Sequence, residues 1–431
     1  VTAVIFALGV LAFLLGLAVS IALHEVGHMW PAKRFGIKVT QFFVGFGRTV
    51  WSFKRGETEY GIKAIPLGGY VKLVGMLPPE PGDPEHARTS NTGLFTQLAR
   101  DARSVEYETV TDQDAGRLFY SRPAWQKIIV MAGGPTVNLL IAAVLFSISF
   151  MGFGVPTPTT TVAQVSDCAI TDAEAGRACT DDDPVTPAKK VGLLPGDEII
   201  SFDGEPIRSW ERLSALIRAN GDESAEIGYR RDGESRQVQV RTHVLARAAL
   251  DDPESVENVG FLGVVPRQVI ERRGPVFVVS EMGSMIGSTA SAIVRLPDRM
   301  VDVGKAVLGA ERGQDTPVSV VGASRVAGEL VTTDQPTFAV GAQRIIMLLA
   351  VLNLFLWLFN LIPLLPLDGG HIAGAVWEAI RRGWARLRGR PDPGHVDVAK
   401  MLPIAYAVGS ALIIMSVVLI VADIVNPVRL S

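Results

Sequence analysis

The chain has 431 residues, 48% hydrophobic and 20% charged, with a formal net charge of -3. That length allows two or three structural units. The small negative charge, with no basic run or repeated arginine–aromatic pattern, excludes a bulk electrostatic pull toward nucleic acid, and no nucleic-acid partner is expected.

The first apolar block runs from Val1 to about Leu23. It is long enough for a membrane span, which needs roughly 20 mostly apolar residues. It lacks a basic start and an A-x-A-like cleavage site, so it reads as a span and not a signal peptide. It leads straight into His24-Glu25-Val26-Gly27-His28. Residues four apart on a helix share a face, so both imidazoles can point at one ion. Glu25 can then reach a water on that ion and take its proton as the water attacks a carbonyl. This is the H-E-x-x-H logic of metallopeptidases. Two histidines and a glutamate at the end of a span are costly unless paired or functional. After them, Leu77 to Ser121 reads as a polar insertion rich in Pro, Asp, Glu and Thr, with no role assigned.

The second span runs from about Ile128 to Phe153, the third from about Ile345 to Leu365 and the fourth from about Leu402 to Ile424. A stretch near Val276 to Leu296, interrupted by Glu281, Arg295 and several Gly and Ser, reads as a surface or membrane-edge helix. Lysines and arginines set orientation. Lys33, Arg34, Lys38, Lys54 and Arg55 follow span one, Arg122 and Lys127 precede span two, and Arg381, Arg382, Arg386, Arg388 and Arg390 follow span three, against Arg429 alone at the C-terminus. The loops after spans one and three are therefore expected in the cytoplasm, and the segment between spans two and three outside. That outer segment holds the only cysteines, Cys168 and Cys179. They are candidates for a disulfide in an oxidising compartment; spacing alone leaves two free thiols equally open.

Two histidines do not complete a catalytic zinc site, which takes three protein ligands and a water. The other intramembrane acid is Asp368, in Asn360-Leu361-Ile362-Pro363-Leu364-Leu365-Pro366-Leu367-Asp368-Gly369-Gly370-His371. The prolines and glycines predict irregular backbone there, tolerated at membrane depth where it lines a cavity. Spans one and three run in the same direction, so both motifs fall at the same depth. His371 is a weaker candidate. From about Thr160 to Pro266 the chain reads as β-rich, with a helix at Trp210–Ala219, strands at Ala225–Tyr229 and Gln237–Val240, and a closing strand at Val259–Val264.

HEVGH in the first span, AGGPTVN (Ala132 to Asn138) in the second and NLIPLLPLDGG (Asn360 to Gly370) in the third resemble the site-2 proteases. These are intramembrane zinc metallopeptidases of regulated intramembrane proteolysis. The likeness is to the four-span bacterial sigma-E-regulator type, actinobacterial branch. It implies one Zn2+ per chain held by His24, His28 and Asp368, with Glu25 catalytic. Asn360 matches an asparagine that contacts substrate backbone. Gly45, Phe46 and Gly47, with Gly68, Gly69 and Tyr70 of PLGGYVKL, match membrane-associated strands that pair with unwound substrate. The run from Val191 to Gly204 resembles a PDZ signature and places a peptide groove at Gly192 and Leu193.

The expected fold is thus an α-helical polytopic membrane protein of four transmembrane helices, with a membrane-associated β-element and an extracytoplasmic PDZ domain at 155–268. Its partners would be the lipid bilayer and a single-pass transmembrane substrate, an anti-sigma factor or a signal-peptide remnant. Two rivals are a non-catalytic scaffold, against which HEVGH and LDGG stand intact, and a metal transporter, against which no inverted repeat is found.

Overall fold

A computed structural model describes residues 2–78, 114, 116–171, 177–249, 255–313, 316–333 and 337–428. Most of the polar insertion read at 77–121, and Arg429, lie outside the described residues. Two compact units emerge, one of Val1–Gly152 with Gly274–Ser431, the other of Phe153–Arg273.

In the first unit, helix α1 (Thr2–Arg34) runs well beyond its apolar block, so HEVGH lies inside it. Strands β1 (Val39–Arg55) and β2 (Thr58–Leu73) follow, and then helix α2 (Ala124–Ser147), which continues as a π-helical turn at Ile148–Phe153. α1 and α2 cross where Gly27 meets Gly133 backbone to backbone. No residue with a side chain would permit that approach.

The β1–β2 register falls into three series. Arg55↔Thr58 to Thr49↔Lys63 closes the tight turn, Val39↔Leu73 to Val44↔Gly69 joins the far ends, and Gln41↔Glu59 to Val44↔Ile62 adds a third row. The start of β1 is therefore flanked by β2 on both sides. Gly69–Leu73 is left as an outer edge. Ile37, Val39, Leu73, Phe119, Val130 and Met131 pack together and fix this β-element to the ends of α1 and α2.

The second unit is built from β3 (Val155–Val165), the short α3 (Pro187–Lys190), β4 (Glu198–Phe202), β5 (Glu205–Pro206), α4 (Trp210–Ala219), β6 (Ser224–Arg231), β7 (Glu234–Arg241), β8 (His243–Ala248), β9 (Val256–Phe261) and β10 (Val264–Glu271). One sheet has the order β10-β3-β4-β6-β7 with β5 on β4, and β8 pairs β9 separately. Ile199, Phe202, Leu213, Ile217, Ile227 and Leu262 form its core. The helix and strands read at Trp210–Ala219, Ala225–Tyr229 and Gln237–Val240 lie inside observed elements. The expected closing strand does not run through. Leu262 is buried and Gly263 takes a φ of 89°, which splits the stretch between β9 and β10. Cys168 and Cys179 are joined as a disulfide.

The first unit resumes with α5 (Pro275–Val294), α6 (Leu296–Val307), α7 (Val320–Leu330), α8 (Phe338–Asn360), α9 (Asp368–Leu387) and α10 (Leu402–Val425). Among the described residues five helices, α1, α2, α5, α8 and α10, are long and apolar enough to cross a membrane. α5 is the stretch read as a membrane-edge helix. Its glycines and serines do not interrupt the helix.

The stretch after Asp368, which belongs to the segment expected in the cytoplasm after span three, is helical to Leu387 and packs on α2. There Lys127 donates to both oxygens of Glu378, at 3.1 and 2.9 Å, with Arg382 and His395 beside them. Burial alone would raise the Glu378 carboxyl, but hydrogen bonds from His395 and Lys127 bring it down to about 2.

Candidate metal centre

α1, α2 and α8–α9 converge on one point. His24 and His28 sit one helical turn apart, and their Nε2 atoms lie 3.1 Å from each other. Asp368, the first residue of α9, brings Oδ2 to 3.4 Å from each of them. Ligands held at 2.0–2.2 Å around a tetrahedral zinc stand about 3.3–3.6 Å apart, so this triangle has close to the size of three corners of such a site. Asp368 Oδ2 is buried and has no hydrogen-bond partner. A buried carboxylate oxygen left so, aimed at two imidazole nitrogens, fits a cation between them. These three residues are the one group with that geometry among the described residues.

The glycines after Asp368 have a local reason. A Cβ on Gly369 would strike the carbonyl of Ile362, and one on Gly370 would press on the backbone of Leu364 and Leu365. Bare backbone at both positions lets the Leu361–Leu367 turn fold over the start of α9, and that sets the position of Asp368.

The other ring nitrogens of the histidines are also held. His28 Nδ1 lies 2.8 Å from the Val130 carbonyl, and His24 Nδ1 lies 3.1 Å from the Asn138 amide. If the Nε2 atoms ligate, both Nδ1 atoms carry protons and must donate. The Asn138 oxygen, otherwise without a partner, is the acceptor that fits His24. Asn138 and Gly134 belong to the AGGPTVN motif, to which the sequence reading gave no chemical role. A Cβ on Gly134 would collide with His28 Nε2 and stand 2.7 Å from His24 Nε2. Gly134→Ala is therefore expected to lower zinc affinity by at least about 100-fold, the upper range for partners outside the ligand set. Chelator competition on the purified protein measures this; unchanged affinity would show that the ligand face does not lie where α2 meets α1.

Glu25 follows His24 and faces the β-element. A Cβ on Gly69 would sit 3.1 Å from Glu25 Cγ and 3.1 Å from Ile21, and the Val71 backbone turns toward the Glu25 carboxylate. The outer edge of β2 thus runs along Glu25. Of the expected strand residues, Gly69 reaches the site. Phe46 lies over Gly68 and Tyr70, and Gly45 and Gly47 form the bend beside Ile65. They shape the β-element without touching the three-residue cluster. Asn360 closes α8 before the turn that leads to Asp368. His371 stands apart from the trio and lines a small cavity with Met76, Phe119, Tyr120, Lys127 and Glu378.

The sequence profile described as "Peptidase family M50" matches residues 12–391. The chain belongs to peptidase family M50. Relatives cover its whole length. The "Zinc metalloprotease Rip1" of Mycobacterium tuberculosis is 33% identical over 440 residues, 99% of each chain, and that of Mycolicibacterium smegmatis 32% over 441 residues, again 99% of each. The "Metalloprotease MmpA" of Caulobacter vibrioides is 26% identical over 392 residues, 88% of each chain. As a member of this site-2 protease family, the protein is a zinc metalloprotease and a multi-pass membrane protein.

In the second unit the expected groove residues Gly192 and Leu193 precede β4. Leu193 is 2% exposed and belongs to the core, and the Gly192 carbonyl accepts from Arg231. An open cleft of about 110 Å³ lies between α4 and the β9–β10 junction, lined by Trp210, Ser214, Ile217 and Phe261 among others. The PDZ domain of an SdrC-like protein from Listeria monocytogenes aligns with 26% of this chain and 90% of its own, at 18% identity and a TM-score of 0.17, too low to show a shared fold.

Proposed function

We propose that this protein is an intramembrane endopeptidase that cuts the transmembrane segment of single-pass membrane proteins, using one zinc held by His24, His28 and Asp368. The observation that carries the reading is the outer strand edge at Gly69–Val71, which runs past Glu25 beside the ligand cluster. A transmembrane helix hides its amides, so a protease must first draw it out into extended chain. An edge strand with unpaired backbone groups offers the hydrogen bonds that hold it so. Zinc, when bound, supplies a Lewis acid that polarises a peptide carbonyl and lowers the pKa of a water. Glu25 takes that water's proton and passes it to the leaving amine. Asn138 and the Val130 carbonyl keep both imidazoles oriented.

Helix directions support a four-span topology. Gly16 meets Leu349 and Ser20 accepts from Asn353 at 3.0 Å, so α1 and α8 run parallel. Gly27 meets Gly133 and His24 meets Asn138, so α2 runs against them. The chain must then leave α2 and start α8 on the same side. If α5 crossed, a second crossing would have to follow, and α6 and α7, with 12 and 11 residues, are too short for it. We therefore take α1, α2, α8 and α10 as the spans. The lysine and arginine bias puts the metal centre toward the cytoplasm and Phe153–Arg273 outside, in a bacterial plasma membrane. That outer unit is read as a PDZ-like domain that takes a peptide in the α4–β9 cleft. Substrates trimmed by an earlier cut, anti-sigma factors first, are the proposed class.

The test is a purified protein reconstituted with a single-pass reporter. Cleavage within the reporter's membrane segment should stop with chelator, return with zinc and fall sharply in Gly69→Val, where a side chain blocks the edge beside Glu25. Full cleavage by Gly69→Val with zinc bound would remove the strand edge from the mechanism. Vesicle metal uptake without cleavage would replace the protease reading with transport.

A further inference from the structure

α9 carries its polarity inside out. The face packed on α2 holds Ala375, Glu378 and Ala385, all buried, with Glu378 bound to Lys127 and Arg382. The opposite face bears Val376, Trp377, Ile380, Trp384 and Leu387, spaced so that they line one side of the helix. Trp377, Ile380, Trp384 and Leu387 are 56%, 54%, 56% and 85% exposed. Scattered exposed apolar residues need no explanation, but a continuous stripe opposite a charged, packed face does. Arginines flank it. At 100° per residue Arg381 and Arg388 fall on one border and Arg386 on the other, and the Arg388 guanidinium lies 4.4 Å from the centre of the Trp384 ring.

We propose that α9 is an interfacial helix that seats its apolar stripe in the lipid and holds anionic lipid headgroups with Arg381, Arg386 and Arg388. Two observations choose lipid over a protein partner. The chain enters α9 from the membrane-length helix α8 through the Leu361–Leu367 turn and enters another such helix, α10, at Leu402. The chain thus enters α9 from one membrane-length helix and returns to another, the segment after Leu387 folding back along α9 so that the Val396 N–H donates to Glu378 before α10 begins. Tryptophans within the stripe and basic side chains along its borders are the pattern of helices lying in the headgroup plane of an anionic membrane. A second copy of the chain would bring the same arginine borders against each other. The inference goes beyond catalysis and does not depend on the metal centre cleaving anything. The proposed topology enters only in naming the leaflet, the one that receives the C-terminal ends of α1 and α8.

The natural cysteines are bonded to each other, so Ile380→Cys gives a single thiol for a nitroxide label on the full chain. The labelled protein is placed in phosphatidylcholine nanodiscs with and without phosphatidylglycerol, and its collisions with oxygen and with a water-soluble nickel chelate are measured. Zinc content serves as the check of folding. The expected result is a label reached by oxygen and shielded from nickel, sitting deeper with phosphatidylglycerol. In Arg381→Gln/Arg386→Gln/Arg388→Gln that added depth should vanish, and native mass spectrometry should find about half or less of the retained phosphatidylglycerol. A label open to nickel in both lipids, or shielded from both reagents by protein, overturns the interfacial assignment. Equal depth and equal lipid retention with and without the arginines overturns the headgroup assignment. Loss of cleavage with these readouts intact would count against the proposed protease function alone.

Discussion

Asp368→Ala is expected to leave the purified protein without zinc. Two imidazoles from one helix turn cannot hold the ion as a three-ligand set does, and among the described residues the carboxylate is the one group that completes the set. Partners that merely orient a ligand are worth 10–100-fold in affinity, so losing a ligand itself should cost at least about 100-fold. Metal analysis of the detergent-purified protein, beside His24→Ala, is sufficient and needs no substrate. The fold should survive, because the α1–α2 crossing rests on Gly27 and Gly133 and the α1–α8 contact on Ser20 and Asn353. A stoichiometric zinc that remains in Asp368→Ala would break the three-ligand centre and leave the 3.4 Å geometry as a plain ion pair. Loss in both variants would join two motifs from opposite ends of the sequence in one site.

What the sequence disclosed, and what it hid, follows from the range of the interactions involved. The pairing of His24 with His28 is local, set by helical pitch, and so was readable. The reach to Asp368 was readable because two spans of the same direction must end at the same depth. The work of Gly134 and Asn138 was not, since it depends on which face of α2 meets α1, and apolar spans give no polar stripe from which to infer that. Asn353, buried in the membrane bundle and bound to Ser20, gave no signal either. A lone asparagine in an apolar helix names no partner. In the second unit the residue pattern of a turn was legible at Gly192–Leu193, whereas the cleft between α4 and β9 depends on how those two elements settle against each other. In the stretch of α9 the sequence reading used the arginines only to set the side of the membrane. Their placement on the borders of an apolar stripe becomes visible only once the helix is drawn.

The second large effect is expected from Glu25→Gln, which should retain zinc and lose cleavage by about 100- to 10,000-fold, the range for a positioned general base. Glutamine keeps the size of the side chain and can still meet the Val71 backbone, so neither the packing of α1 nor the strand edge should change. What it cannot do is accept a proton from water. Glu25 is placed for that step because it follows His24 on the helix, putting its carboxylate beside the ligand face, while Gly69, where a Cβ would sit 3.1 Å from Glu25 Cγ, brings the edge of β2 close against it. A variant that keeps both zinc and activity within tenfold of the parent would assign the proton transfer to another group. Set beside Asp368→Ala, the two substitutions separate the roles. One should empty the centre and the other should leave it filled but idle, and only a protease whose metal and base are distinct groups gives that pair of results.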